Sequence, residues 1–154
     1  MARTDTGVDL SGHTLTVMIS IADRMLYDAI FVDLAAAGFD DIRRAHGRVF
    51  EAIDPKGSRV TEMAEHVRLT KQAMGQLVDH LEDGGYVTRE PDPDDGRAKL
   101  VVLTKKGERA ARTAIAATDR LERTWSRQLG PQRAREFRRS LEEICSTFGR
   151  DHIR

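Results

Sequence analysis

A mainly α-helical fold carrying one small β-hairpin is what this sequence predicts, and three observations carry the prediction. Apolar residues recur at steps of three and four over long stretches at both ends of the chain. Two short helical segments follow one another in the middle, separated only by Arg68 to Thr70. After the Gly84-Gly85 pair come two runs of strand-formers split by the acid-rich EPDPDDGR.

Each element can be justified in order. From His13 to about Ala37, Leu15, Met18, Ile19, Ala22, Leu26, Ala29, Ile30 and Leu34 make one helical stripe, with Ser11 placed to cap it and Gly38 to end it. Such a helix spans roughly 37 Å at 1.5 Å per residue. A second helix is expected from Asp40 or Asp41 to Ile53, stopped by DPKG. Thr61 is placed to cap EMAEHV, with Met63, Ala64 and Val67 as core candidates. Thr70 is placed to cap KQAMGQLVDHLED, which buries Ala73 or Met74, Leu77, Val78 and Leu81. Two short helices joined by so tight a break have the proportions of a helix-turn-helix. Tyr86 to Arg89 then reads as a strand, EPDPDDGR as a turn, and Ala98 to Leu103 as the partner strand. Two strands alone are marginal in water, so the hairpin must lean on the helices. Helix-turn-helix plus hairpin is a winged helix.

Thr104 caps a further long helix to about Leu129, with Ala111, Ile115, Thr118, Leu121 or Glu122, Trp125 and Leu129 along one side. Gly130 and Pro131 punctuate, and the last helix shows Ala134, Phe137, Leu141, Ile144, Cys145 and Phe148. The long terminal stripes exceed what a small middle lobe covers. A partner subunit or an intramolecular bundle can bury them.

At 154 residues the chain fits a single domain, 1–154. The N-terminal MARTDTGVDLSG lacks an apolar signal core, and no apolar run approaches the roughly 20 residues of a membrane span. A soluble cytoplasmic protein is expected, and a lone cysteine suits a reducing compartment. Net charge is zero. Residues 58–104 carry 6 basic and 9 acidic side chains, whereas 105–154 carry 13 and 7. Phosphate neutralisation supplies most non-specific DNA affinity, so any DNA-binding role for the middle segment has to work against local acidity.

The residues from Val60 to Gly107, VTEMAEHVRLTKQAMGQLVDHLEDGGYVTREPDPDDGRAKLVVLTKKG, resemble the winged helix-turn-helix core of the MarR (multiple antibiotic resistance regulator) family of bacterial transcription factors. The L-E-x-x-G-Y-V-x-R join at Leu81 to Arg89 and the D-x-R-x-x-x-V-x-L-T wing at Asp95 to Thr104 carry most of the likeness. The resemblance implies a DNA-binding lobe at 38–104 and dimerisation helices at 10–37 and 105–154. It also implies a homodimer on pseudopalindromic promoter or operator DNA, often a repressor released by a small aromatic or phenolic effector held between the lobes.

Under that resemblance the second helix of the motif enters the major groove. Thr70, Lys71, Gln72 and Ala73 form its first turn, Gly75 permits close approach, Gln76 follows one turn on, and His80 lies near the far end. Gln suits adenine, and Lys suits phosphate or guanine. Each side chain alone could belong to an ordinary solvated helix face; together they favour contact. Arg97 belongs at the wing tip, reaching a narrow minor groove, with Asp95 orienting it by a salt bridge. Lys99 and Arg59 add positive potential. The remaining acids of the stretch read as solvated turn residues.

A calcium loop starting at Asp92 fails on spacing, since Arg97 falls where the turn glycine belongs and Leu103 where a bidentate Glu is needed. His13, His46, His66, His80 and His152 show no metal-ligand spacing, so no metal or cofactor is expected. Cys145 lies on an apolar stripe and reads as core. Met18, Arg24, Tyr27 and His46 are candidates for lining an effector crevice, each equally compatible with core or surface. No phosphate loop or oriented nucleophile is present, so an enzyme is not expected. The competing expectation is a winged-helix protein-interaction module, which local acidity favours and the donor-rich first turn of the recognition helix opposes.

Overall fold

A computed structural model describes residues 11–148 of the chain. The helices are α1 (Leu15–Ala36), α2 (Gly47–Ala52), α3 (Val60–His66), α4 (Lys71–Asp83), α5 (Lys105–Leu129) and α6 (Pro131–Phe148), with a 3₁₀ turn at Arg44–His46 ahead of α2. The hairpin strands are β1 (Val87–Asp92) and β2 (Asp95–Leu103), paired antiparallel from Val87 opposite Leu103 to Asp92 opposite Asp95. The mainly α class with one hairpin is as the sequence predicts.

The helix starts sort into those set by a local side chain and those set by distant chain. Thr70 and Thr104 cap α4 and α5, their hydroxyls accepting from the Ala73 and Gly107 N–H groups at 3.1 Å. Pro131 opens α6 as expected. At α1, Thr14 rather than Ser11 is the cap, its hydroxyl accepting from Val17. Gly12, at φ 89°, keeps Ser11 out of the helix. At α3, Thr61 lies inside the helix instead of capping it. Ser58 is tied to Val101 by two backbone hydrogen bonds, so the chain stays extended through Arg59 and turns helical at Val60. Asp40 and Asp41 do not open a helix; the Tyr86 hydroxyl donates to the Asp41 carboxylate and fixes that segment as a turn.

The hairpin is longer than expected, and only Pro93 and Asp94 remain in its turn. The Asp92 carboxylate closes it by accepting the Asp94 N–H at 2.9 Å. Asp92 is also buried at 6% exposure, so one acid of the run is not a solvated turn residue. The Ser58 bridge adds a third short stretch against β2 and covers part of its edge.

One core joins the winged lobe to the base of α1 and α5. Val49, Met63, Met74, Val78, Leu81, Tyr86, Val87 and Val101 are almost fully buried, with Leu34, Phe39, Ile42 and Ala110 beside them. The buried face of α5 runs through Gly107, Ala110 and Ala117, with Ala114 partly covered, rather than through Ala111 and Ile115; Ile115 is 61% exposed. At Gly107 the reason is close approach, since a Cβ there would meet the Tyr86 carbonyl oxygen at 2.0 Å.

The α6 stripe is uncovered in the single chain, with Phe137 50% and Ile144 42% exposed. Cys145 is exposed as well, not core. The Phe148 side chain and His152 fall outside the described residues. No helix among the described residues is long and apolar enough to cross a membrane.

Candidate nucleic-acid interface and effector cleft

The amphipathic split of α4 decides what it can present. Met74, Val78 and Leu81 are buried against the core, while Thr70, Lys71, Gln72, Gln76 and His80 are exposed and Ala73 and Gly75 half-buried. A Cβ built at Gly75 meets nothing within 4 Å inside the chain, so its bare backbone is an open approach path. The Thr70 hydroxyl takes up the Ala73 N–H, and the positive end of the helix dipole beside Lys71 suits an anion. The turn before α4 is held by Arg68 in the left-handed region at φ 55°, a backbone state that glycine adopts with less strain.

On the hairpin, Arg97 and Lys99 are exposed on β2. Arg97 stands past the two-residue turn instead of at its tip, because the strands run on toward Pro93. Asp95 does not form a salt bridge to Arg97. Its carboxylate accepts the Arg97 backbone N–H at 3.1 Å and lies 3.7 Å from the Arg59 guanidinium. Asp95 therefore shapes the backbone under Arg97 and leaves the side chain unclaimed.

The acids of the lobe are largely spent inside it. Arg59 donates through Nε to the Asp92 carboxylate at 2.7 Å, pinning the wing to the start of α3. The Asp94 N–H, then Arg59, hold the Asp92 carboxyl below its usual range. Arg89 on β1 bonds Asp79 at 2.6 Å and also Glu82, tying the wing to α4. Lys71, Arg97 and Lys99 enter no ion pair with the described residues. The acidic excess of 58–104 is thus partly engaged by Arg59 and Arg89, and Lys71, Arg97 and Lys99 stay exposed without an ion pair among the described residues.

Tyr86 anchors the join between α4, the wing and α5. Its ring meets Phe39 edge-on at 6.0 Å and carries the Lys106 ammonium 4.0 Å over its centroid. Burial, then the Asp41 carboxylate, raise the phenol above its ordinary value, while the phenol hydrogen bond lowers Asp41. Thr104 donates to the carbonyl of Gly85 at 2.6 Å, so one hydroxyl both caps α5 and clasps the end of α4.

A cleft of 320 Å³ opens between α1, the 3₁₀ turn with α2, and α5. Tyr27 and Phe31 stack at 6.2 Å along its wall, Ile30, Phe50 and Ala114 add apolar surface, and Arg44 lies 4.0 Å over the Tyr27 ring. Of the four crevice candidates, only Tyr27 lines this cleft. Met18 and Arg24 are exposed nearer the start of α1. His46 is buried on the other side of the 3₁₀ turn and faces His80.

Residues 40–98 match a sequence model described as the MarR family. The HTH-type transcriptional repressor Rv2887 of Mycobacterium tuberculosis is 36% identical over 91 residues, covering 58% of this chain and 65% of that protein. The chain therefore aligns with just under two thirds of that repressor's length. The HTH-type transcriptional regulator PetP of Rhodobacter capsulatus is 31% identical over 113 residues, covering 73% of this chain and 68% of PetP. The chain belongs to the MarR family. CouR from Rhodococcus jostii RHA1, solved bound to p-coumaroyl-CoA, extends the likeness to the flanking helices, with a TM-score of 0.65, 25% identity and coverage of 90% of this chain and 95% of CouR.

Among the residues of this MarR-family chain, sequence reasoning missed Arg43, Arg44, Phe31 and Phe50 at the cleft and Arg68 at the turn. One signal was present for the cleft: Tyr27 and Phe31 stand four apart on one helix and must share a face. None was available for Arg44, whose position over Tyr27 depends on the 3₁₀ turn folding back along α1.

Proposed function

We propose that this chain is a sequence-specific double-stranded DNA-binding transcriptional regulator, a ligand-responsive repressor acting as a homodimer on a pseudopalindromic operator. The observation that carries it is the outward face of α4. Thr70 caps it, Lys71, Gln72 and Gln76 stand exposed and unpaired by acids, and Arg97 and Lys99 are exposed on the wing. Lys and Arg supply phosphate attraction, Gln the edge-specific donors and acceptors, and the hairpin a second groove contact. The names of Rv2887 and PetP point the same way. In this reading residues 10–37 and 105–154 form the dimer lobe, the 1–154 chain is one domain, the protein works in the cytoplasm at the nucleoid, and it catalyses no reaction.

The effector belongs in the Tyr27 and Phe31 cleft, where stacked aromatics, Arg43 and an Arg44 already paired with Asp23 suit a small aromatic or phenolic acid. Such a molecule lowers DNA affinity only by binding the non-binding conformation more tightly. CouR, captured with an aromatic acyl-CoA, supports that ligand class. Calorimetry with p-coumarate and p-coumaroyl-CoA tests it.

Electrophoretic mobility shift against DNA selected by the purified protein from a random pool tests the main claim. Enriched half-sites about one helical turn apart, bound with a steep loss of affinity as salt rises, are expected. Binding with no sequence preference would sink it. The acid excess of 58–104 favours a second reading, a protein-interaction module, which predicts no enrichment at all.

A further inference from the structure

His46 closes the 3₁₀ turn and is 3% exposed. The Arg43 N–H donates to its Nδ1 at 3.0 Å, so that nitrogen offers a lone pair and the proton of the neutral ring sits on Nε2. Nε2 lies 3.1 Å from Nδ1 of His80 on α4, with the rings 5.0 Å apart and inclined at 72°. His46 Nε2–H therefore donates and His80 Nδ1 accepts, which leaves the His80 proton on its own Nε2. A second proton on either ring sets two N–H groups face to face: His46 Nδ1 against Arg43, or His80 Nδ1 against His46.

The same 3₁₀ turn has two working sides. Arg43 and Arg44 line the effector cleft, and His46 reaches the helix that carries Gln72 and Gln76. We propose that the His46–His80 pair is a proton-operated strut that sets the pose of α4 against the cleft, so that DNA affinity falls on mild acidification. The inference rests on the DNA-binding role given to α4 above.

The charged groups acting on His46 are His80 on α4, Arg43 on its own turn and Asp41 on the loop before it. Burial, then His80 and Arg43, lower its pKa, and Asp41, already engaged by Tyr86, opposes them. The sign follows. The pair's contribution is complete above about pH 6.5, where unfolded histidine is neutral, and is lost as pH falls toward the lowered value. A metal is a poorer occupant, because ligation through His46 Nε2 requires Nδ1–H, which the Arg43 N–H opposes. Among the described residues no three of His, Cys, Asp and Glu gather as a metal-sized set.

Acid normally strengthens DNA binding by charging histidines, so a fall is diagnostic. The test measures imidazole ¹⁵N–¹H correlations of the full chain between about pH 8 and 5, and DNA affinity over that range, for wild type and His46→Gln. The Gln amide donates to His80 without titrating. His46→Asn, whose amide oxygen accepts the Arg43 N–H, serves if the first variant fails to melt cooperatively. The expected result is a His46 Nε2–H tautomer titrating below its ordinary value. Wild-type affinity should drop roughly tenfold between about pH 7.5 and 5.5, with a flat or rising profile in the variant. Parallel profiles, a His46 Nδ1–H tautomer, or Zn²⁺ converting both rings to bound forms would each overturn it. Absence of DNA binding at every pH overturns the proposed function and the DNA half of this inference, while the imidazole titration still decides the strut.

Discussion

Arg97 and Gly107 show how differently single residues matter here. Arg97 is exposed on β2 with its side chain unclaimed, so Arg97→Ala should cost about 1 to 2 kcal/mol of DNA binding and leave the melting temperature unchanged. Quantitative mobility shift paired with a thermal melt checks this, and unaltered affinity removes the wing from the interface. Gly107 works by absence. A Cβ there would stand 2.0 Å from the Tyr86 carbonyl oxygen, so α5 can pack on the join only if this position is bare. Gly107→Ala should destabilise the fold by about 3 kcal/mol, measured by urea denaturation, because backbone rather than a flexible side chain must yield. Thr70 and Thr104 were legible as caps because their partners lie three residues away. His46 and Asp92 were not. Their partners, His80 and Arg59, lie 34 and 33 residues off, and nothing in local spacing announces either pairing.

Elements were predicted well where periodicity alone decides them and poorly where tertiary contact does. The helix-turn-helix, the hairpin and the two helices of the C-terminal half follow from apolar spacing and punctuation. The start of α3 and the loss of a helix at Asp40 follow from Ser58 meeting Val101 and Asp41 meeting Tyr86. The buried side of α5 differs from the expected one because small residues, with Gly107 against the Tyr86 carbonyl, take the core-facing positions, while Ala111 and Ile115 are left to line the cleft. The Tyr86–Asp41 bond also predicts a pH response for the elements it joins. Asp41, lowered, contributes stability that is present above the ordinary carboxylate value and lost as pH falls through its depressed one. Tyr86, raised, contributes stability that is present below the ordinary phenol value and lost above it. Tyr86→Phe should therefore lose on the order of 1 kcal/mol at neutral pH and show a shallower decline in acid, read from urea midpoints at several pH values.

At the scale of the whole molecule, the apolar side chains left uncovered by one chain are where the proposed dimer would find its interface. Leu15, Ile19 and Met25 on α1 and Phe137, Leu141 and Ile144 on α6 are all exposed in the single chain. We expect Leu141→Asp to shift sedimentation equilibrium from dimer toward monomer. DNA affinity should fall by about two orders of magnitude or more, since each half-site contact then loses its tethered neighbour. A variant that stays dimeric would place the interface elsewhere. The sequence marks these faces as apolar but names neither what covers them nor the geometry, because a stripe records only that a face is apolar. The junction at Thr104 bears on that geometry. Strand β2 ends at Leu103 and α5 begins at Lys105, with a single residue between them whose hydroxyl is clasped by Gly85. The wing is thus soldered to the long helix without slack. In a dimer the separation of the two wings becomes a property of how the α5 helices cross, so one inserted base pair between half-sites, a rotation of about 34 to 36°, should be rejected by helix angle before any base is read.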